Sequence, residues 1–235
     1  MLGRLIRLTV LILLAPLIYA FSYEAFLFFF RSGITVKSVQ WFLLGVALAI
    51  LIYAVLPRRI TIFWEVFDHE LTHLVTGLMF FRRPRAFVVA PEAVNGATGI
   101  EPGFGTIPIT LAPYFLPLFT LPFLLAKPFL PSPFDEIANF LIGFTLALHY
   151  ASLIAWEFRP SQPDFRTTGV IFSIVVTLFL NVVLLVVILA IVTGNYAGIL
   201  DYFKNGWDRT VEAYGAALEF LQTGVIPAIS EWLGR

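Results

Sequence analysis

His69, Glu70 and His73 stand in the order H-E-x-x-H, within His69-Glu70-Leu71-Thr72-His73. On a helix, residues i and i+4 share one face about one turn apart. Two imidazoles so placed can hold one zinc ion, with the adjacent glutamate as general base toward a water at the metal. The chain has three histidines in 235 residues, and a random shuffle of its composition yields this pattern on the order of once in a thousand sequences. A hydrolytic zinc site usually takes three protein ligands and leaves a fourth position open. The third ligand must come from elsewhere, and the choices are few. They are His149, Asp164 within Pro160-Ser161-Gln162-Pro163-Asp164-Phe165, and the nearby Glu157. Each has a plainer reading: His149 as a hydrogen-bonded interior histidine, Asp164 as an N-cap beside Arg166. Glu65, one turn before His69, faces the same cavity or pairs with Arg58 or Arg59. Asp68 and Thr72 read as supporting or packing groups, and Asn181 as an interhelical donor.

The elements that must position these residues are apolar. The chain is 59% hydrophobic and 13% charged, with mean hydropathy +0.89. Soluble domains sit near 25% charged, so the expected class is an integral, multi-pass membrane protein, in a bilayer read as the cell's inner membrane. Net charge is zero, which gives no reason to expect a nucleic-acid partner or a polybasic membrane tether. With no cysteine, disulfides, thiol catalysis and thiolate ligands are excluded. Arg4 and Arg7 before an apolar run suggest a signal sequence, but the run continues to Phe30 without a small-x-small cleavage site. A retained signal anchor is the better reading.

A spanning helix needs about 20 apolar residues, and about six candidates fit. They are Leu5–Phe30, Ser38–Leu56, Ile60–Phe81, Thr106–Leu125, Asp135–Glu157 and Thr167–Val192. The first holds Pro16, where a kink is expected, and Glu24, an odd charge near its far end. The fourth holds Pro108, Pro113, Pro117 and Pro122, and should be kinked or partly unwound as the wall of a cavity that admits water. Between the third and fourth, Ala86–Ala90 is β-like and Asn95-Gly96 signals a hairpin, or else an extended loop. After residue 195 the pattern becomes amphipathic: Ile199, Phe203, Trp207, Val211, Tyr214, Leu218 and Leu221 recur at helical steps. The tail lies at the interface or folds back onto the bundle. The expected fold is thus all-α and polytopic, with a membrane domain over 1–195 and an amphipathic tail over 196–235. The Lys/Arg balance favours an external N-terminus.

Depth narrows the site. The third and fifth spans run the same way. His73 lies eight residues before Phe81, as His149 does before Glu157, so both sit roughly 12 Å inside the same face. The loop carrying Asp164 opens on that face. His69, His73, His149 and Asp164 can converge if the loop dips inward; periodicity and depth leave His149 and Asp164 as alternatives.

The H-E-L-T-H helix, the β-like segment after it, Leu111-Ala112-Pro113-Tyr114-Phe115 and Gln162-Pro163-Asp164 before the last span together resemble the site-2 protease family of intramembrane zinc metallopeptidases, in its small bacterial-type branch. The resemblance covers about residues 60 to 192. It implies His69, His73 and Asp164 as zinc ligands, Glu70 as the base, and a transmembrane protein or peptide as substrate. Better-known members carry Leu-Asp-Gly at the aspartate; here the neighbours are Pro163 and Phe165. On this reading His149 is the oxyanion donor or a partner of a ligand, with Asn181 a weaker choice. A rival of another class is a metal-binding membrane scaffold or transporter without hydrolytic activity. A binding site alone does not require the carboxylate of Glu70.

Overall fold

The computed structural model describes residues 2–90, 95–101, 105–157 and 160–234. The described residues are mostly helical, with one two-stranded sheet. Among the described residues, four helices are long and apolar enough to cross a membrane: Leu5–Arg31, Lys37–Val55, Phe134–Ala155 and Val170–Val192. The chain groups into two compact units, residues 34–194 and the pairing of residues 1–33 with 195–235. The first helix is therefore grouped with the tail, whereas the sequence boundary had set it with the other spans.

In the larger unit, α2 (Gln40–Val55) and α6 (Phe134–Ser152) run antiparallel in backbone contact. Gly45 lies against the Phe140 carbonyl and Gly143 against the Phe42 carbonyl, where a Cβ would have no room. Helices in lipid gain little from apolar burial against each other, so close approach through small residues matters more. Val39, Phe42, Leu124, Ile142, Leu146, Ile188 and Val192 form the core around this crossing. Ile188 and Val192 come from α8 (Val170–Val192).

α3 (Arg58–Met79) follows α2 after Pro57. Its polar stripe is turned inward: Thr61, Glu65, Asp68, His69, Glu70, Thr72 and Thr76 are all buried, while Phe63, Leu78 and Met79 are exposed. Fully buried Glu65 accepts from Arg58 Nη1 at 2.5 Å and from Tyr53 Oη at 2.5 Å. Of the two arginines expected to reach Glu65, this pairing is with Arg58. The helix ends in a Schellman turn, with Phe81 N–H to the Leu78 carbonyl and Arg82 N–H to the Gly77 carbonyl.

β1 (Pro84–Ala90) then pairs antiparallel with β2 (Asn95–Ile100). The Asn-Gly pair is not a two-residue turn, as the hairpin signal had suggested. Asn95 pairs with Ala90 and Gly96 with Val89, inside the ladder. The connection is Pro91-Glu92-Ala93-Val94, which lies outside the described residues. The hairpin rests on α3, with Thr98 Oγ1 donating to the Glu70 carbonyl at 2.9 Å.

The proline-rich stretch is not one helix. It breaks into α4 (Thr106–Leu111), a 3₁₀ turn over Ala112–Tyr114, and α5 (Leu121–Ala126). Proline lacks the N–H that continues a helical ladder, which accounts for the breaks. α6 ends in a π-helical turn, Leu153–Glu157. The expected last span starts later than its sequence pattern: a short α7 (Pro163–Thr168) stops at Gly169, at φ +98°, and α8 begins beyond it. Only glycine takes that backbone conformation without strain.

In the smaller unit, α1 (Leu2–Arg31) runs unbroken through Pro16 and packs antiparallel with α9 (Tyr196–Phe220), which a π turn joins to α10 (Ile226–Leu233). Tyr202 Oη donates to the Phe21 carbonyl at 3.2 Å, and Tyr214 Oη to that of Leu13. Glu24, the odd charge, is buried and accepts from Arg209 Nη2 at 2.7 Å and Nε at 2.9 Å.

Candidate metal centre

His69 and His73 lie on one face of α3, as the four-residue spacing requires. Their Nε2 atoms are 3.2 Å apart. Asp164 Oδ2 completes a near-equilateral triangle, 3.4 Å from His69 Nε2 and 3.3 Å from His73 Nε2. Among the described residues these three side chains form the one group of His and carboxylate ligand atoms close enough to share a metal ion.

Asp164 reaches the pair because α7 is set off from α8. Pro163 occupies its first turn, and Gln162 at the N-cap makes no side-chain cap bond. The aspartate carboxylate is therefore engaged by the imidazoles, not by the helix end. Burial works to raise its pKa. Hydrogen bonds from His69 and His73 and their positive charge, present while the imidazoles are protonated, outweigh that and hold the carboxyl well below the usual carboxylate range. Metal ligation needs the deprotonated form.

His149 is not in the triangle. Its Nδ1 is 3.4 Å from Asp68 Oδ2, and both side chains are about nine-tenths buried or more. His149 Nε2 and Asp68 Oδ1 are buried without a hydrogen-bond partner among the described residues. Of the two alternatives from depth, Asp164 joins the histidine pair and His149 pairs with the residue before His69. Glu70 is buried beside the pair yet outside the three-atom group. The side chain of Glu157 lies outside what the structure describes. Asn181 sits one step further out: its Nδ2 donates to the Tyr114 carbonyl and the Thr177 carbonyl, each at 2.8 Å.

Two contacts escape a reading by spacing. Tyr114, fully buried, donates its hydroxyl to Asp164 Oδ2 at 2.9 Å and stands its ring edge-on to His69 at 5.4 Å. The Ile109 carbonyl lies 2.9 Å from His73 Nδ1. A carbonyl can only accept, so Nδ1 carries the hydrogen and Nε2 is left facing the other two donors. One signal for Tyr114 was available: a tyrosine in a proline-broken apolar stretch needs a partner for its hydroxyl.

Comparison with protein-family models, with characterised proteins and with solved structures gives no match for this chain.

Proposed function

We propose that the protein is an intramembrane zinc metallopeptidase of the site-2 protease kind, which hydrolyses peptide bonds in membrane-embedded substrates. The observation that carries this reading is the triangle of His69 Nε2, His73 Nε2 and Asp164 Oδ2, with sides of 3.2 to 3.4 Å. Ligands at about 2.0–2.1 Å in a tetrahedron stand roughly 3.3 Å apart. The donor set therefore fits zinc with three protein ligands and one open position. Zinc held there lowers the pKa of water toward neutrality and polarises a carbonyl oxygen.

The chain's own residues supply the rest. Glu70, adjacent to His69 and not needed as a ligand, takes a proton from the attacking water and returns it to the leaving amine. Ile109 and Tyr114 orient His73 and Asp164, and Asp68 with His149 forms a second buried pair directly behind His69 in sequence. The bilayer is the medium, crossed by the four apolar helices. α3, about 33 Å long at 1.5 Å per residue, and a broken passage over residues 106–129 complete a six-span arrangement. Turning its polar stripe inward lets α3 lie at membrane depth.

The test pairs His73→Ala and Glu70→Gln in purified full-length protein. Wild type and Glu70→Gln should each hold about one zinc per chain, and His73→Ala should lose it. Cleavage of transmembrane substrates in vesicles should fall at least ~10²-fold in Glu70→Gln. Zinc retained by His73→Ala overturns the site, and equal cleavage by wild type and Glu70→Gln overturns the mechanism. Zinc binding with no cleavage across a substrate panel favours the metal-scaffold reading.

A further inference from the structure

Resting on the metal-site reading above, we propose that Pro113 is a positioning residue for His73: by having no N–H, it leaves the Ile109 carbonyl to the His73 imidazole.

In an α-helix the N–H of residue i bonds the carbonyl of residue i−4. The donor that would claim the Ile109 carbonyl is residue 113, which is proline. α4 stops at Leu111, two residues short of it. Downstream, Phe115 N–H and Leu116 N–H both return to the Ala112 carbonyl, at 3.1 and 2.8 Å, so the chain turns back on itself just past Pro113. The Ile109 carbonyl, on a buried residue, meets His73 Nδ1 instead, across 36 residues of chain. The same turn presents Tyr114, whose hydroxyl reaches Asp164 and whose own carbonyl accepts from Asn181. Two of the three candidate ligands are thus oriented by one short segment, and the segment can do so because its helix is interrupted at Pro113.

The orientation has chemical content. A ring whose Nδ1–H is donated to a carbonyl keeps its lone pair on Nε2, the atom that faces His69 and Asp164. Alanine at position 113 supplies the N–H that continuing α4 as an α-helix would direct at the Ile109 carbonyl. A carbonyl has two lone pairs, so the result is competition and a shifted carbonyl, not outright loss of the contact. Pro117 is the control, because its missing N–H concerns the Pro113 carbonyl, which no histidine contacts in the structure's described bonds.

The experiment compares wild type, Pro113→Ala and Pro117→Ala in detergent, with two readouts. The first is nitrogen NMR of the imidazoles in metal-free protein at alkaline pH. With three histidines, the His73 signals are assigned by their loss in His73→Ala. Wild type and Pro117→Ala should show His73 protonated on Nδ1, and Pro113→Ala should show a mixture of tautomers. The second is zinc affinity by chelator competition, which should fall about tenfold or more in Pro113→Ala and stay within about twofold in Pro117→Ala. Wild-type ring signals in Pro113→Ala overturn the proposal. So does a wild-type His73 protonated on Nε2, which needs no variant to fold. A wild type that binds no zinc while the Nδ1–H tautomer still depends on Pro113 fails the metal reading alone.

Discussion

Tyr114→Phe removes one oxygen from a fully buried ring and leaves the packing in place. The ring contacts with His69 at 5.4 Å and with Phe165 at 4.5 Å do not involve the hydroxyl. What is lost is the 2.9 Å bond to Asp164 Oδ2. Hydrogen bonds to charged groups contribute about 1.5–3 kcal/mol. Asp164 is 24% exposed at the side chain, so water can replace part of the loss, and the lower half of that range applies. A carboxylate freed of this tether samples orientations away from the two imidazoles. A change of about 1.4 kcal/mol is tenfold in zinc affinity, at the low end of what loss of a ligand's own hydrogen-bond partner usually costs.

The assay is a chelator competition titration on wild type and Tyr114→Phe, with thermal unfolding of the metal-free proteins alongside. The affinity should fall about tenfold, while the metal-free unfolding midpoint moves little, because the apolar ring still fills its site. Unchanged affinity at intact fold refutes the reasoning. A large drop in metal-free stability with proportionate loss of zinc refutes it too, since Tyr114 would then be a packing residue alone.

Two further substitutions probe what holds the site's helices. Glu65→Gln strips the charge that Arg58 and Tyr53 share; Arg58 is 55% exposed and can turn to water, so the loss should be about 1–2 kcal/mol, read as a lower unfolding midpoint in detergent, and an unchanged midpoint contradicts it. Gly143→Leu forces a side chain onto the Phe42 carbonyl and must part α2 from α6, costing about 1–3 kcal/mol or more; wild-type stability in this variant would show that the two backbones do not meet as described.

The legible parts of this chain are those that depend on one element at a time. His69 and His73 share a face because helix geometry alone puts i and i+4 together. The breaks over residues 106–129 follow from proline chemistry. What spacing left open needed a tertiary contact. Depth arguments could not rank Asp164 above His149, because the choice turns on Gly169 setting α7 apart from α8, a local backbone angle that no periodicity reports. Glu24 read as an anomaly because its partner, Arg209, is 185 residues away. Asn95-Gly96 misled for a different reason. An Asn-Gly pair marks a turn when the strands end beside it, but here β2 begins with it, and the connection falls to the four residues before.

The count of spans shows the same physics from the other side. α3 is 22 residues long, as long as its apolar neighbours, yet it is not among the four helices that qualify by hydropathy. The residues that disqualify it are Glu65, Asp68 and Glu70, the acids that precede and separate its histidines. Hydropathy scores a side chain as though lipid had to solvate it. Glu65 is solvated by Arg58 and Tyr53, Asp68 faces His149, and the Thr72 and Thr76 hydroxyls return to carbonyls of their own helix at 2.7 and 2.6 Å. With most of its polar stripe met by protein, α3 leaves Phe63, Leu78 and Met79 on its exposed face. If the proposed hydrolysis takes place at bilayer depth, a helix of that kind is what it requires: the charges that lower the hydropathy of α3 are the ones its protein neighbours receive.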